Sequence, residues 1–344
     1  MEISISGKSL MIGSMPHGNA MEAFAVLDEF PLHIPTWPQL PARSFLEGMI
    51  PQCSEGFSGV KIDEDNKSIR IDRGSDMIEQ LIAGYEAILA EDIEYFKISS
   101  RFAQGLHEFV ERSRKEKTLP VVKGQITGPF TFGLGLNDPD GRAIWWDENY
   151  RELIYGGLGL KALWQVRMLR EIAGRVLMFC DEPILSVLGT PAYMGVKDED
   201  VVEGINRVIS PLKEAGALAG MHCCGNMDWG LMAGTDLDIL ALDAYEFGHK
   251  TVLYADEISA FLERGGYLAW GIVPTGNPEA VAGETVDTLR ERLDRIIDLL
   301  TVSGVDEDLL RSRALYTPSC GVGSLPEDSA RRVMELLAGL APGH

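Results

Sequence analysis

Eight short apolar runs, separated by stretches of helical periodicity, constrain this chain more than any other feature. The runs are "SLMIG" (9–13), "LHIPTW" (32–37), "LPVVKGQI" (119–126), "RVLMFC" (175–180), "ALAGMH" (217–222), "LDILALD" (237–243), "GYLAWGI" (266–272) and "ALYT" (314–317). Most are continuously apolar, as expected of strands buried on both faces of a parallel sheet. Between them, "DMIEQLIAGYEAIL" repeats apolar residues at Ile78, Leu81, Tyr85 and Ile88–Leu89. "ETVDTLRERLDRIIDLL" does the same at Val286, Leu289, Leu293, Ile296–Ile297 and Leu300, and in both the charges fall on the other face. The last helix is expected to start at Pro326, after Ser324. Turns in "AGAL" and "ERGGYL" end helices just before strands.

This alternation predicts an α/β fold, a (β/α)8 TIM barrel. "VKIDEDNKSIRID" (60–72) alternates around a turn and predicts a small β-hairpin inserted near the N-terminus. "GLGLNDPDGRAIWWDENY" (133–150) reads as a long loop after the third strand. A length of 344 residues suits one such barrel, and no linker, repeat or low-complexity tract divides it, so 1–344 reads as a single domain.

Composition removes several function classes. The formal net charge of −21 would repel phosphate backbones, so a nucleic-acid partner is not expected. No apolar run approaches the roughly 18–20 residues of a membrane span, so no membrane partner is expected either. "MEISISGKSLMIGSMPHG" lacks a basic start, an apolar core and a cleavage site, which argues against a signal peptide. Five cysteines, a sparse and odd number, fit reduced thiols in the cytoplasm better than a disulfide framework.

In a barrel of this type the chemistry sits where strands end and the following loops begin. The polar residues there are Ser14 and His17 after the first strand, Glu55 after the second, and Gln125 and Thr127 at the third. Asp181 and Glu182 follow the fourth, "HCCGN" the fifth, Glu246 the sixth and Cys320 the eighth. His222 and Cys224 are two apart, so on a strand they project to one side and Cys223 to the other. That is the geometry of two ligands for one metal ion. Zinc takes about four nitrogen, sulfur or oxygen ligands in a tetrahedron, and Glu246 and Cys320 can supply the rest. Soft thiolates favour Zn2+ over magnesium or calcium. A satisfied core histidine beside buried thiols explains "HCC" equally well at this point. A vicinal redox pair fits less well, because that motif is usually C-x-x-C. Cys53 and Cys180 read as small core residues and His249 as exposed. Asp181–Glu182 could be a solvated turn, and Trp145–Trp146 either a cover for the mouth or plain packing.

"HCCGN" with a distal "PSCG" resembles the zinc site of the uroporphyrinogen decarboxylase / cobalamin-independent methionine synthase superfamily. "MIGSMPH" is similar to the I-G-S-x-P segment that opens the catalytic barrel of methionine synthase. "KGQITGPFTF" is similar to its K-G-x-x-T-G-P segment and "FCDEPIL" to its I-D-E-P-A-L segment. Glu246 stands where a zinc-binding glutamate is expected. The likeness runs through nearly the whole chain, in order, and is closest to the short single-barrel methionine synthases.

The resemblance implies a zinc-dependent methyltransferase that methylates the thiol of homocysteine to give methionine. Its metal ligands would be His222, Cys224, Glu246 and Cys320. Ile12 and Ser14 would hold the substrate carboxylate and Asp181 its amino group, with Glu55 as a further amino-acid ligand. Asp181 and Glu246 are the residues expected to act in catalysis, Glu246 as an exchangeable ligand. The methyl donor would be a methylcorrinoid protein, as in short single-barrel relatives, or methyltetrahydrofolate, which long methionine synthases bind with a second barrel that this chain's length does not provide. The alternatives are a methylcorrinoid:coenzyme M-type thiol methyltransferase, a uroporphyrinogen decarboxylase-like lyase, and a zinc-stabilised barrel without turnover. "GSMPHGNAMEAF" lacks the early arginines of a porphyrinogen decarboxylase.

Overall fold

The computed structural model describes residues 4–115 and 118–341. Seven parallel strands form one curled sheet: β1 (Lys8–Ser9), β4 (Leu119–Thr127), β5 (Ala173–Asp181), β6 (Leu218–Cys223), β7 (Ile239–Leu242), β8 (Tyr267–Val273) and β9 (Ala314–Pro318). A separate antiparallel pair, β2 (Val60–Asp63) and β3 (Ser68–Ile71), lies in the excursion between β1 and β4. The large sheet runs in the order β1-β9-β8-β7-β6-β5-β4, with helices between successive strands.

The interior and exterior of the curl are read directly from strand parity. Val121, Leu177, Phe179, Ile239, Ala241, Ala269 and Leu315 pack together inside the curl. Their chain neighbours Val122, Val176, Met178, Leu240, Leu268 and Ala314 join the larger core beneath the helices. Both faces of each strand are therefore buried, which is why these runs are apolar throughout.

A sheet of eight regular strands does not form. The 32–37 run lies between the two sheet edges, where Ile34 N donates to Ser9 O (3.1 Å) and Lys123 N donates to Pro35 O (2.9 Å). Farther along, Gln39 N donates to Gly13 O (3.0 Å) and Met15 N to Gln39 O (2.9 Å). The segment pairs only through isolated bridges, Thr36 with Lys123 and Ser14 with Gln39. Pro35 and Pro38 have no N–H to donate, so a continuous ladder cannot propagate through it.

Two other expectations are corrected. The Met77–Leu89 helix buries a stripe centred on Gly84 and Ala87, leaving Ile78 and Leu89 exposed. A Cβ on Gly84 would lie 2.7 Å from Leu153, so the small residues allow a close approach that bulky ones would block. The 133–150 stretch is not a loop. It holds the end of a helix (Pro129–Gly135), a 3-10 turn (Ile144–Trp146) and the start of the long helix Glu148–Arg170, capped by Asp147. Trp145 is buried there against Phe130, with ring centroids 5.8 Å apart, so it packs the core. The last helix spans Glu327–Leu340 with Pro326 at its N-cap.

Candidate metal centre

The C-terminal ends of β4, β5 and β6 are in register, with Thr127 beside Asp181 and Asp181 beside His222. His222 has the parity of Leu218, which packs on the interior cluster. Cys223 is fully buried in the core beneath the helices. The vicinal cysteines thus split to opposite faces of the sheet.

His222, Cys224 and Cys320 come together, their ligand atoms all within 4.8 Å of one another. The His222 ring reaches this point with one nitrogen committed: Nδ1 lies 3.2 Å from Ala241 O. A carbonyl accepts only, so Nδ1 carries the proton and Nε2 keeps its lone pair. Nε2 is buried and has no partner. An orphaned imidazole lone pair beside two thiols is the donor set that zinc fits.

Cys224 is held well below the ordinary thiol range, chiefly by the adjoining Cys320 thiol and also by the neighbouring His222, against the opposing effect of burial. Cys320 is pushed up by its hydrogen bond with Cys224 and by burial.

Cys320 is placed by a clasped loop after β9. Ser319 N donates to Val273 O (2.8 Å), and the Ser319 hydroxyl lies 2.9 Å from Thr275 Oγ1. On the other side Val322 N donates to Ser14 O (3.0 Å) and Gly323 N to Ser14 Oγ (3.3 Å). A Cβ on Gly321 would overlap the Ser14 hydroxyl, so only glycine lets these two segments close on each other. The Ile12–Ser14 turn is therefore fastened to the cysteine loop. Gly13 makes that turn at φ +148°, where a Cβ would also meet the Gln125 amide at 2.5 Å.

Asp181, the last residue of β5, is buried, and its Oδ1 has no partner. Burial raises its pKa, the charges of Lys123 and His222 lower it, and that of Cys224 raises it, so Asp181 lies within the field of the cysteine site. Lys123 is fully buried inside the curl. Its ammonium donates to the Ile12 carbonyl and to Gln125 Oε1 (3.1 Å), and lies 4.8 Å from the Phe179 ring. Burial lowers it to about 8, with Asp181 acting against the shift. Lys123 thus ties the Ile12–Ser14 turn to the layer that holds Asp181.

The other expected residues fall elsewhere. Glu246 is exposed on the short Ala244–Phe247 helix, and its carboxylate is outside the His222–Cys224–Cys320 group. Glu55 is engaged by Ser99, accepting from its amide (2.6 Å) and its hydroxyl (2.9 Å). Glu182 turns away from the mouth, where it accepts from Phe130 N, Thr131 N (both 2.8 Å) and Thr131 Oγ1 (2.6 Å) at the start of the Pro129–Gly135 helix. Thr127 donates its hydroxyl to Met49 O (2.6 Å). Gln125 packs against Trp37 and Gln165.

Sequence reasoning missed Lys123 and Asp243. Asp243 directly follows β7, is buried, and accepts from Glu246 N (2.9 Å). Burial pushes it up to about 7, with Glu246 and Cys224 raising it and His222 lowering it. A signal for it was present: an aspartate closes "LDILALD" as another closes "RVLMFCD", and strand ends carry the polar groups.

No family model matches this chain. No curated protein matches it either. Solved structures do match. A protein from Listeria monocytogenes described as a vitamin-B12-independent methionine synthase is 14% identical, with 95% of this chain and 87% of that one covered and a TM-score of 0.58. A methyltransferase from Methanosarcina mazei is 13% identical over 97% of this chain and 92% of that one, at a TM-score of 0.54. A B12-independent methionine synthase from Shewanella sp. W3-18-1 is 18% identical over 68% of this chain, at a TM-score of 0.46, and the chain spans 65% of its length. At such identities what is established is architecture: this chain has the fold of methionine synthase-like and methyltransferase structures, in keeping with the superfamily its motifs resemble.

Proposed function

We propose that the chain is a zinc-dependent methyltransferase acting on the thiol of homocysteine to form methionine. One observation carries this reading: the unpartnered His222 Nε2 meets the Cys224 and Cys320 sulfurs beside the unpartnered Oδ1 of a buried aspartate. Zinc held by His222, Cys224 and Cys320 would supply a soft Lewis acid that keeps a thiol ionised near neutral pH. The fourth protein ligand comes from the turn after β7. Neither Asp243 nor Glu246 lies within the His222–Cys224–Cys320 group, and Asp243 is taken over the exposed Glu246 because it is buried at the strand end.

The remaining residues fix the substrate. Asp181 offers a buried carboxylate oxygen to an ammonium group; burial raises its pKa and the Lys123 ammonium works against that rise. Ser14 and the Ile12 backbone, clasped to the Cys320 loop, would hold the carboxylate of the same amino acid. Holding both ends of the head group directs the sulfur toward the cysteines and removes rotational freedom before methyl transfer. Glu55 contributes through the turn it holds at Ser99 rather than by direct contact. The unpartnered carboxylate favours homocysteine over coenzyme M, whose sulfonate it would repel.

The test is methyl transfer to homocysteine by the zinc-loaded chain, with a methylcorrinoid protein and methyltetrahydrofolate as alternative donors. The reading predicts methionine from one of them and no methyl-coenzyme M when coenzyme M is the acceptor. Zinc-loaded protein that makes methionine from neither donor would contradict it.

A further inference from the structure

Far from the strand C-termini lies a cleft of about 290 Å³ between the Ala20–Glu29 and Gln104–Ser113 helices. It is lined by the C-terminal halves of both helices and by Leu119, where β4 begins, so it opens at the opposite end of the sheet from the cysteines. Its walls are Phe24, Leu27, Phe109 and Leu119, and Met11 and Pro35 line it as well. Two charges stand on its rim. Arg112 Nη2 lies 2.6 Å from Asp28 Oδ2, and the guanidinium sits 4.4 Å over the Phe24 ring.

We propose that this cleft binds an apolar L-α-amino acid, with the side chain inward and the head group between Asp28 and Arg112. Three features select that class. The volume of about 290 Å³ limits the occupant to a small molecule and leaves room for an amino-acid side chain. The walls are mostly apolar and aromatic, with Thr36, Ser113, Asp28 and Arg112 as the polar lining, a mix usual for small-molecule sites. The rim presents a carboxylate and a guanidinium side by side, the complement of a zwitterion. A guanidinium has five donors in a rigid fork, and its bond to Asp28 runs through Nη2, so a ligand carboxylate can be bound beside Asp28. Stacking on Phe24 holds that fork in place. A fatty acid would face Asp28 and a simple amine would face Arg112, so each should bind less well.

The inference rests on the cleft alone and does not depend on methyl transfer. The experiment is calorimetric titration of the full zinc-loaded chain with L-norleucine, alongside hexanoate and pentylamine. Because the strand-end site would itself take an amino acid, Asp181→Asn protein is titrated in parallel. The expected result is saturable norleucine binding that survives Asp181→Asn and weakens at least about ten-fold in both Arg112→Gln and Asp28→Asn. Both rim residues are largely solvent-facing, so these variants should keep the wild-type melting temperature. A third variant, Leu27→Trp, fills the cleft and should abolish binding. Norleucine affinity unchanged in both rim variants, hexanoate binding as well as norleucine, or no saturable binding at all would each overturn the proposal.

Discussion

In the lower part of the sheet interior, Val121, Leu177, Phe179, Ile239 and Ala269 pack against one another with no polar atom among their side chains. Nearer the C-terminal ends of the strands, Lys123 on β4, Asp181 on β5 and His222 on β6 are also buried but polar. Strand geometry and burial are the same in both layers, and only the chemistry differs. The lower layer gains free energy by leaving water, at about 25 cal/mol per Å² of apolar surface. The upper layer loses it, because a buried polar atom without a partner costs about 1–3 kcal/mol. Asp181 Oδ1 and His222 Nε2 are such atoms. The lower layer is explained by folding alone. On the function proposed above, the upper layer is explained by the ligands it would receive.

The largest expected effect would break the comparison at the cysteines. His222→Ala or Cys320→Ser should reduce zinc from about one per chain to under about a tenth, and methyl transfer with it. Zinc content by elemental analysis checks this, and a fold that persists without the metal would show that the upper layer serves function. The converse change is made in the lower layer. Leu177→Ala should cost about 2–5 kcal/mol of stability through the lost contacts and the cavity left behind, with zinc retained. Urea denaturation and metal analysis on the same sample separate the two.

A third change sharpens the boundary between the layers. Burial lifts Glu182 to about 7 in spite of the three hydrogen bonds it accepts. The native chain therefore holds this proton more tightly than the unfolded chain. The associated stability is full below the unfolded value of about 4.5 and is lost as the pH rises through about 7. Relative to Glu182→Gln, the wild type should lose roughly 3 kcal/mol across that window, as followed by denaturant titrations at a series of pH values. The smallest effect is expected at Asp181. Asp181→Asn should raise KM for homocysteine about ten- to a hundred-fold with zinc unchanged, since it removes one charged contact to the substrate.

Much of this was legible in the sequence, for a physical reason. A strand buried on both faces must be apolar throughout, so β4, β5, β6, β8 and β9 announce themselves. Their ends then place Asp181, His222, Cys224 and Cys320 at one mouth. The second strand was misread because Pro35 and Pro38 interrupt the ladder without lowering the hydrophobicity of "LHIPTW". The buried face of the Met77–Leu89 helix was misread because close packing at Gly84 outranked the bulk of Ile78 and Leu89. Lys123 was invisible as a site residue because a lysine inside an apolar run gives no hint of its partners. Only the fold brings the Ile12 carbonyl to it. Asp243 and Glu246 lie three apart, and sequence spacing could not decide between a strand end and the exposed face of the next turn.

The central claim is that the cysteine group at the strand ends is a zinc site open to a thiol. Zinc X-ray absorption spectroscopy on the purified chain, with and without homocysteine, tests it most directly. The account predicts a shell of two sulfurs and lighter nitrogen and oxygen donors that gains one sulfur when homocysteine is added. A zinc shell that stays the same with saturating homocysteine would contradict it.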